Sequence, residues 1–228
     1  MPRIESLLSA RLFLTPQVVG ERLFFISNMS GHNSLYGMDE GGSVPEPLLP
    51  PHIALQNPHL MTGESFVVLP SLNRVLVMID TDGDELYQPM LIPTEGGFPE
   101  PAFPNRFEGQ SVHCVDFDLG RNLVYLLAES RTESVHTAWK ADLESGGLAE
   151  IAQSEYGCFP VGVSDAHDAT LYVDAYGAGD HVLYLKEEKA DEPRLLYGTP
   201  LEDRVEGYEA PPNSISDCFF VRNGKGLL

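Results

Sequence analysis

The chain has 228 residues, 43% of them hydrophobic, enough to bury a substantial core in one large all-β domain or two small ones. Its 34 acidic against 14 basic residues leave a formal charge of −20, which repels phosphate backbones and anionic lipid and argues against nucleic-acid or peripheral membrane partners. Three widely separated cysteines, Cys114, Cys158 and Cys218, form no CxxC pair, so neither a zinc site nor a disulfide framework is indicated, and a reducing cytoplasm fits best.

The N-terminal stretch MPRIESLLSARLFLT mixes charges into its apolar residues and lacks an uninterrupted apolar region with a small-residue cleavage site, so it reads as untargeted. Beyond it, strand-length apolar runs return at a nearly constant distance: LFFIS then SLYGM, VLVMI then LYQPMLI, LVYLLA then VHTAWKA, TLYVDA then HVLYLK. Their starts at Leu23, Val75, Leu123 and Thr170 are 52, 48 and 47 residues apart. A short run (SFVVLP, SVHCVDF or CFPVGV) precedes each of the last three units. A polar turn and a shorter apolar strand follow each of the four, as in EGGSVPEPLLP and LESGGLAEIAQ. Four antiparallel strands over roughly 40 to 50 residues make a propeller blade, because one such sheet cannot bury both faces alone and must stack on its neighbours. The spacing therefore predicts an all-β propeller over 1–228, with blades roughly at 11–50, 64–104, 111–153 and 158–198 and the start of another at 213–228. The aromatic residues of LFFIS, LVYLL and HVLYL are expected in the core between sheets rather than on a stacking platform.

Within the second unit, Asp80-Thr81-Asp82-Gly83-Asp84-Glu85 occupies the place of the second hairpin, where Asp and Gly supply left-handed turn conformations. A calcium loop of the EF-hand type requires Gly at the sixth position and Glu at the twelfth; counting from Asp80, Gly83 is fourth and Leu91 twelfth. A plain turn is the expectation, and a propeller-specific cation site the alternative.

These units are similar to a known family. RLFFISNMSGHNSLYGMDEGG resembles the blade of TolB-like and prolyl oligopeptidase-family propellers, and DTDGDELYQPMLIPTEGG resembles the acidic hairpin and aromatic strand of dipeptidyl aminopeptidase and acylaminoacyl-peptidase propellers. The resemblance covers about residues 11 to 228. It implies a serine peptidase in which the propeller caps a C-terminal α/β-hydrolase domain and filters peptides on their way to a Ser-Asp-His triad. Residues 1–228 are expected to form the propeller alone, without that hydrolase domain. Family propellers have seven or eight blades, whereas this chain offers four, then SISDCFFV and the turn Asn223-Gly224-Lys225-Gly226. A noncatalytic portion of a longer peptidase is the expected reading, with exposed strand edges that promote self-association. A free-standing TolB-like interaction scaffold is the alternative, and a calcium-dependent propeller lactonase a third.

No catalytic residue, metal ligand or cofactor is expected. Gly162-Val163-Ser164-Asp165-Ala166 matches a nucleophile elbow only loosely, since the strand TLYVDA follows where a helix is required. Asp165, His167 and Asp168 read as a solvent-exposed loop cluster. Glu129 and Arg131 remain: in related peptidases charged propeller residues help hold a substrate's N-terminal ammonium or carboxylate, and this pair, at the hairpin after LVYLLA, is the candidate substrate contact.

Overall fold

A computed structural model describes residues 11–81, 83–221 and 226–227. It contains four four-stranded antiparallel sheets, each formed by strands adjacent in sequence. The first comprises β1 (Phe13–Val19), β2 (Arg22–Ser27), β3 (Ser34–Asp39) and β4 (Glu46–Pro47). The second comprises β5 (Phe66–Leu69), β6 (Arg74–Ile79), β7 (Gln88–Pro93) and β8 (Glu100–Pro101). The third comprises β9 (Gln110–Asp118), β10 (Leu123–Ser130), β11 (His136–Asp142) and β12 (Gly147–Ser154). The fourth comprises β13 (Cys158–Val163), β14 (Ala169–Gly177), β15 (Asp180–Glu187) and β16 (Arg194–Tyr197). A short ribbon of β17 (Phe220–Val221) and β18 (Gly226–Leu227) follows. Among the described residues the only helices are single 3-10 turns, so none is long and apolar enough to cross a membrane. The propeller expected from the repeats is therefore what forms.

Why these runs stack is visible in β6. Side chains alternate across a strand, so Val75 and Val77 pack with Phe24, Ile26 and Leu35 of the first sheet. Leu76 and Met78 face the other way, onto Val112, Val124 and Leu126 of the third. A strand buried on both faces needs apolar residues at consecutive positions, and this is the reason RVLVMI reads as an unbroken run rather than an alternating one. Each of these side chains is wholly buried or nearly so, and removal from water contributes about 1.5–3 kcal/mol for each large one. Phe24, Phe25 and Tyr125 lie in the core as their sequence context predicts.

The first strands of successive sheets approach each other closely. The Gln17 side chain imitates a ladder rung between β1 and β5: its Nε2 donates to the Phe66 carbonyl (2.9 Å) and its Oε1 accepts from the Val68 amide (3.0 Å). A bulge between Leu14 and Gln17, with Thr15 at φ +47°, turns the amide toward β5. The Glu64 amide donates to the Cys114 carbonyl of β9 (2.7 Å), and the Cys218 amide to the Val161 carbonyl of β13 (2.6 Å).

Several details depart from the sequence reading. The stretch around RLFLT extends to Val19 and forms β1, so the first sheet too has a leading strand, which was singled out only for the other three units. The run LYQPMLI enters its strand at Gln88, because Glu85 adopts φ +59° and diverts Leu86 and Tyr87 from the ladder. The fourth strands β4 and β8 shrink to Glu-Pro pairs, since proline has no N–H to extend the ladder. The N-terminal stretch up to Ala10, Asp82 and residues 222–225, which include most of the Asn223-Gly224-Lys225-Gly226 turn, lie outside the described residues.

Candidate functional site

The hairpin at Asp80 is a turn held by its own carboxylates. Asp84 Oδ1 accepts from the amides of Thr81 (3.2 Å) and Leu86 (2.9 Å), and Asp80 Oδ2 accepts from the Glu85 amide (3.3 Å). Gly83 sits at φ +80°, a conformation that costs side-chain-bearing residues about 1 kcal/mol or more. Asp80 and Asp84 thus satisfy backbone donors. Among the described residues no group of three or more His, Cys, Asp or Glu side chains is placed to hold a metal ion.

This turn also delivers Glu85 into a cleft of about 310 Å3 between the second and third sheets. Tyr87 follows it along one wall. Ser111 and His113 of β9, Glu129 at the end of β10, Arg131 in the next turn and His136 at the start of β11 supply the other. Both residues singled out from the sequence therefore line the same cleft, but they do not pair with each other. Arg131 Nη2 lies 3.6 Å from Glu85 Oε2, and His136 Nδ1 lies 3.9 Å from Glu129 Oε1. Their side chains are 49% (Arg131) and 41% (Glu129) exposed, so both remain free to meet a ligand.

The floor is more rigid. Ser111 Oγ donates to the Glu85 carbonyl (2.9 Å) and lies 3.3 Å from His113 Nε2, while the Tyr87 and His113 rings are 5.7 Å apart. Burial lowers the His113 pKa, opposed by the charge of Glu129 and the Thr62 carbonyl, so the ring favours its neutral form. Burial likewise raises the Tyr87 pKa, helped by the negative charges of Asp80 and Glu85. Chemically the cleft offers two carboxylates and one guanidinium around a neutral floor: a receptor for an ammonium, a carboxylate or both. Sequence reasoning missed Glu85, His113 and His136. Glu85 alone carried a signal, as the last residue of the acidic hairpin.

Ser164 is a turn residue. Its Oγ donates to Asp168 Oδ1 (2.9 Å) and accepts from the Ala169 amide (3.1 Å), and β14 follows directly. The neighbouring His167 is not the solvent-exposed loop residue expected. At φ +58° its ring turns inward to 12% exposure and stacks on Tyr125 of the third sheet (5.9 Å between centroids). Nδ1 lies 2.9 Å from the Tyr125 hydroxyl and Nε2 lies 2.7 Å from Asp118 Oδ2. Lys140 Nζ donates to the His167 carbonyl (2.6 Å) and pairs with Glu188 (2.9 Å). A polar seam thus fastens the fourth sheet to the third, and it occupies the one histidine ring near Ser164 in sequence.

No protein-family model matches the chain, and no curated protein is similar to it in sequence. Its fold, however, is shared with solved propellers. It resembles the structure of puromycin hydrolase with a TM-score of 0.56 and 16% identity over 84% of this chain and 33% of that one. It resembles prolyl oligopeptidase B from Galerina marginata with a TM-score of 0.55 and 11% identity over 81% and 27%. It resembles TolB from Acinetobacter baumannii with a TM-score of 0.52 and 10% identity over 95% and 48%. The chain spans less than two thirds of the length of each of them. Identities this low establish architecture alone: the chain has the β-propeller fold found in prolyl oligopeptidase-type and TolB proteins.

Proposed function

We propose that this chain is a noncatalytic propeller that positions peptides for an α/β-hydrolase domain of the prolyl oligopeptidase type, with Glu129 and Arg131 in contact with the peptide. The observation that carries this reading is the convergence of Glu85, Glu129 and Arg131 on one cleft, although Glu85 stands 44 and 46 positions before the other two in the chain. A peptide N-terminus could place its ammonium between the two carboxylates, and Arg131 could receive a carbonyl or carboxylate oxygen. The likeness to puromycin hydrolase and prolyl oligopeptidase B supports a peptidase setting. A second reading, an interaction scaffold of the TolB kind, is favoured by the alignment to TolB over 95% of the chain.

Calorimetric titration with trialanine and N-acetyl-trialanine separates them. The peptidase reading expects trialanine to bind and acetylation to weaken it about 10-fold or more, because one charge-assisted contact contributes on the order of 1.5–3 kcal/mol. Glu129→Gln and Glu85→Gln should each weaken trialanine. Equal or absent binding of the two peptides would remove the peptide-terminus role and leave the scaffold reading.

A further inference from the structure

A second and larger cleft, of about 790 Å3, runs along the first strands β9 and β13 and is closed on one side by residues 214–220. That wall is anchored. The Ile215 amide donates to His181 Nδ1 (2.9 Å), the His181 amide to Asn213 Oδ1 (3.1 Å), and the Cys218 amide to the Val161 carbonyl. Gly162 permits the last contact, since a Cβ there would overlap the Cys218 carbonyl oxygen. The ring of Phe159 packs edge-on to His181 (5.9 Å), which fixes the aromatic floor.

The lining combines two chemistries. Leu127, Phe159, Val161 and Phe219 present apolar surface, and Phe219 is 61% exposed at the rim. Asp116, Asp165 and Asp217 come from three separate segments and all reach the same cleft. Among the described residues none of the three is ion-paired, and no lysine or arginine lines the cleft. Asp116 Oδ1 accepts only from the Phe117 amide (2.8 Å) and Asp217 Oδ2 from Ser216 Oγ (2.9 Å). Elsewhere on the molecule acidic groups do find cations, as in the bidentate Asp180–Arg204 pair.

Unneutralised carboxylates around an apolar floor repel anions and leave a purely apolar ligand without a partner for the rim. They favour a cation whose charge is attached to an apolar body: the body covers Phe159 and Phe219, and the charge meets the aspartates and the aromatic faces. The overall charge of −20 steers such ligands inward. We infer that this cleft binds an organic cation carrying an aromatic or branched aliphatic group. The site adjoins the peptide-terminus cleft, the two sharing Thr62 and Glu129, but Glu85 and Arg131 line only the smaller one.

The test titrates the chain with benzyltrimethylammonium, benzyl alcohol and benzoate, followed by calorimetry and ligand NMR. The cation should bind saturably, and the alcohol and benzoate about 10-fold more weakly or not at all. Affinity should fall as salt rises from about 0.01 to 1 M, where the screening length shortens from about 30 to 3 Å. Phe219→Ala and Asp217→Asn, on the exposed wall, should each weaken the cation about 3- to 10-fold. Asp165→Asn, on the β13–β14 turn, checks the same point if the wall variants alter the melting curve. Benzyl alcohol binding as tightly as the cation, or unchanged affinity in all three variants, would overturn the inference. If Glu85→Gln or Arg131→Ala abolishes cation binding instead, the ligand sits in the smaller cleft; this inference then fails while the peptide-terminus reading survives. Failure of trialanine beside success here gives the converse.

Discussion

Gly63→Ala tests whether the close approach of first strands holds the sheets together. Gly63 has φ +72°, and a Cβ on it would overlap the Cys114 carbonyl oxygen, the group that accepts from the Glu64 amide at 2.7 Å. Alanine would therefore meet two costs. The left-handed conformation costs about 1 kcal/mol, and parting the backbones forfeits a hydrogen bond worth about 0.5–1.5 kcal/mol, for a total of roughly 1.5–2.5 kcal/mol. Gly83→Ala is the control: φ is +80°, but nothing lies within 4 Å of the added Cβ, so only the conformational cost of about 1 kcal/mol applies. For a chain of this size each kcal/mol lowers the melting temperature by about 2–4 °C. Thermal melts followed by circular dichroism should show a drop of about 3–10 °C for Gly63→Ala and about 2–4 °C for Gly83→Ala. Equal shifts would refute the reasoning, because they would mean that the contact between β9 and the residues before β5 contributes nothing beyond local strain.

Other outcomes follow from the same geometry. Burial pushes the Asp118 pKa up, but hydrogen bonds from the Gly120 amide, His167 and the Arg121 amide outweigh it and hold the pKa below its ordinary value. A depressed carboxylate stabilises the fold above its unfolded pKa of about 3.9 and loses that contribution as pH falls through the lower folded value. Asp118→Asn should thus be less stable than the parent at pH 7, with the gap closing below about pH 4 in urea titrations; a gap independent of pH would contradict the role given to the charge. Ser164→Ala should cost about 1 kcal/mol through loss of the bonds to Asp168 and Ala169, and serine-directed reagents should leave Ser164 unlabelled. Calcium should leave the melting temperature unchanged; a rise that disappears in Asp80→Ala would make the acidic hairpin a cation site.

How much of this was legible beforehand depended on how local the cause was. Strand identity, blade period and turn positions rest on interactions within about ten residues, so alternation, Asp-Gly turns and the recurrence of LFFIS, VLVMI, LVYLLA and TLYVDA were enough to specify four sheets. The unbroken apolar run of β6 is explained only by the structure, which buries it on both faces. Side-chain meetings between sheets were not legible, because they depend on how neighbouring sheets are rotated and offset when they pack. Arg131 finds Glu85 rather than Glu129, and His167 leaves its own loop for Tyr125 and Asp118. Asp116, Asp165 and Asp217 converge on one cleft from segments about fifty residues apart. The blades follow from the pattern within each repeat, whereas which charges face one another follows from the stacking of whole sheets, a relation that no single repeat encodes.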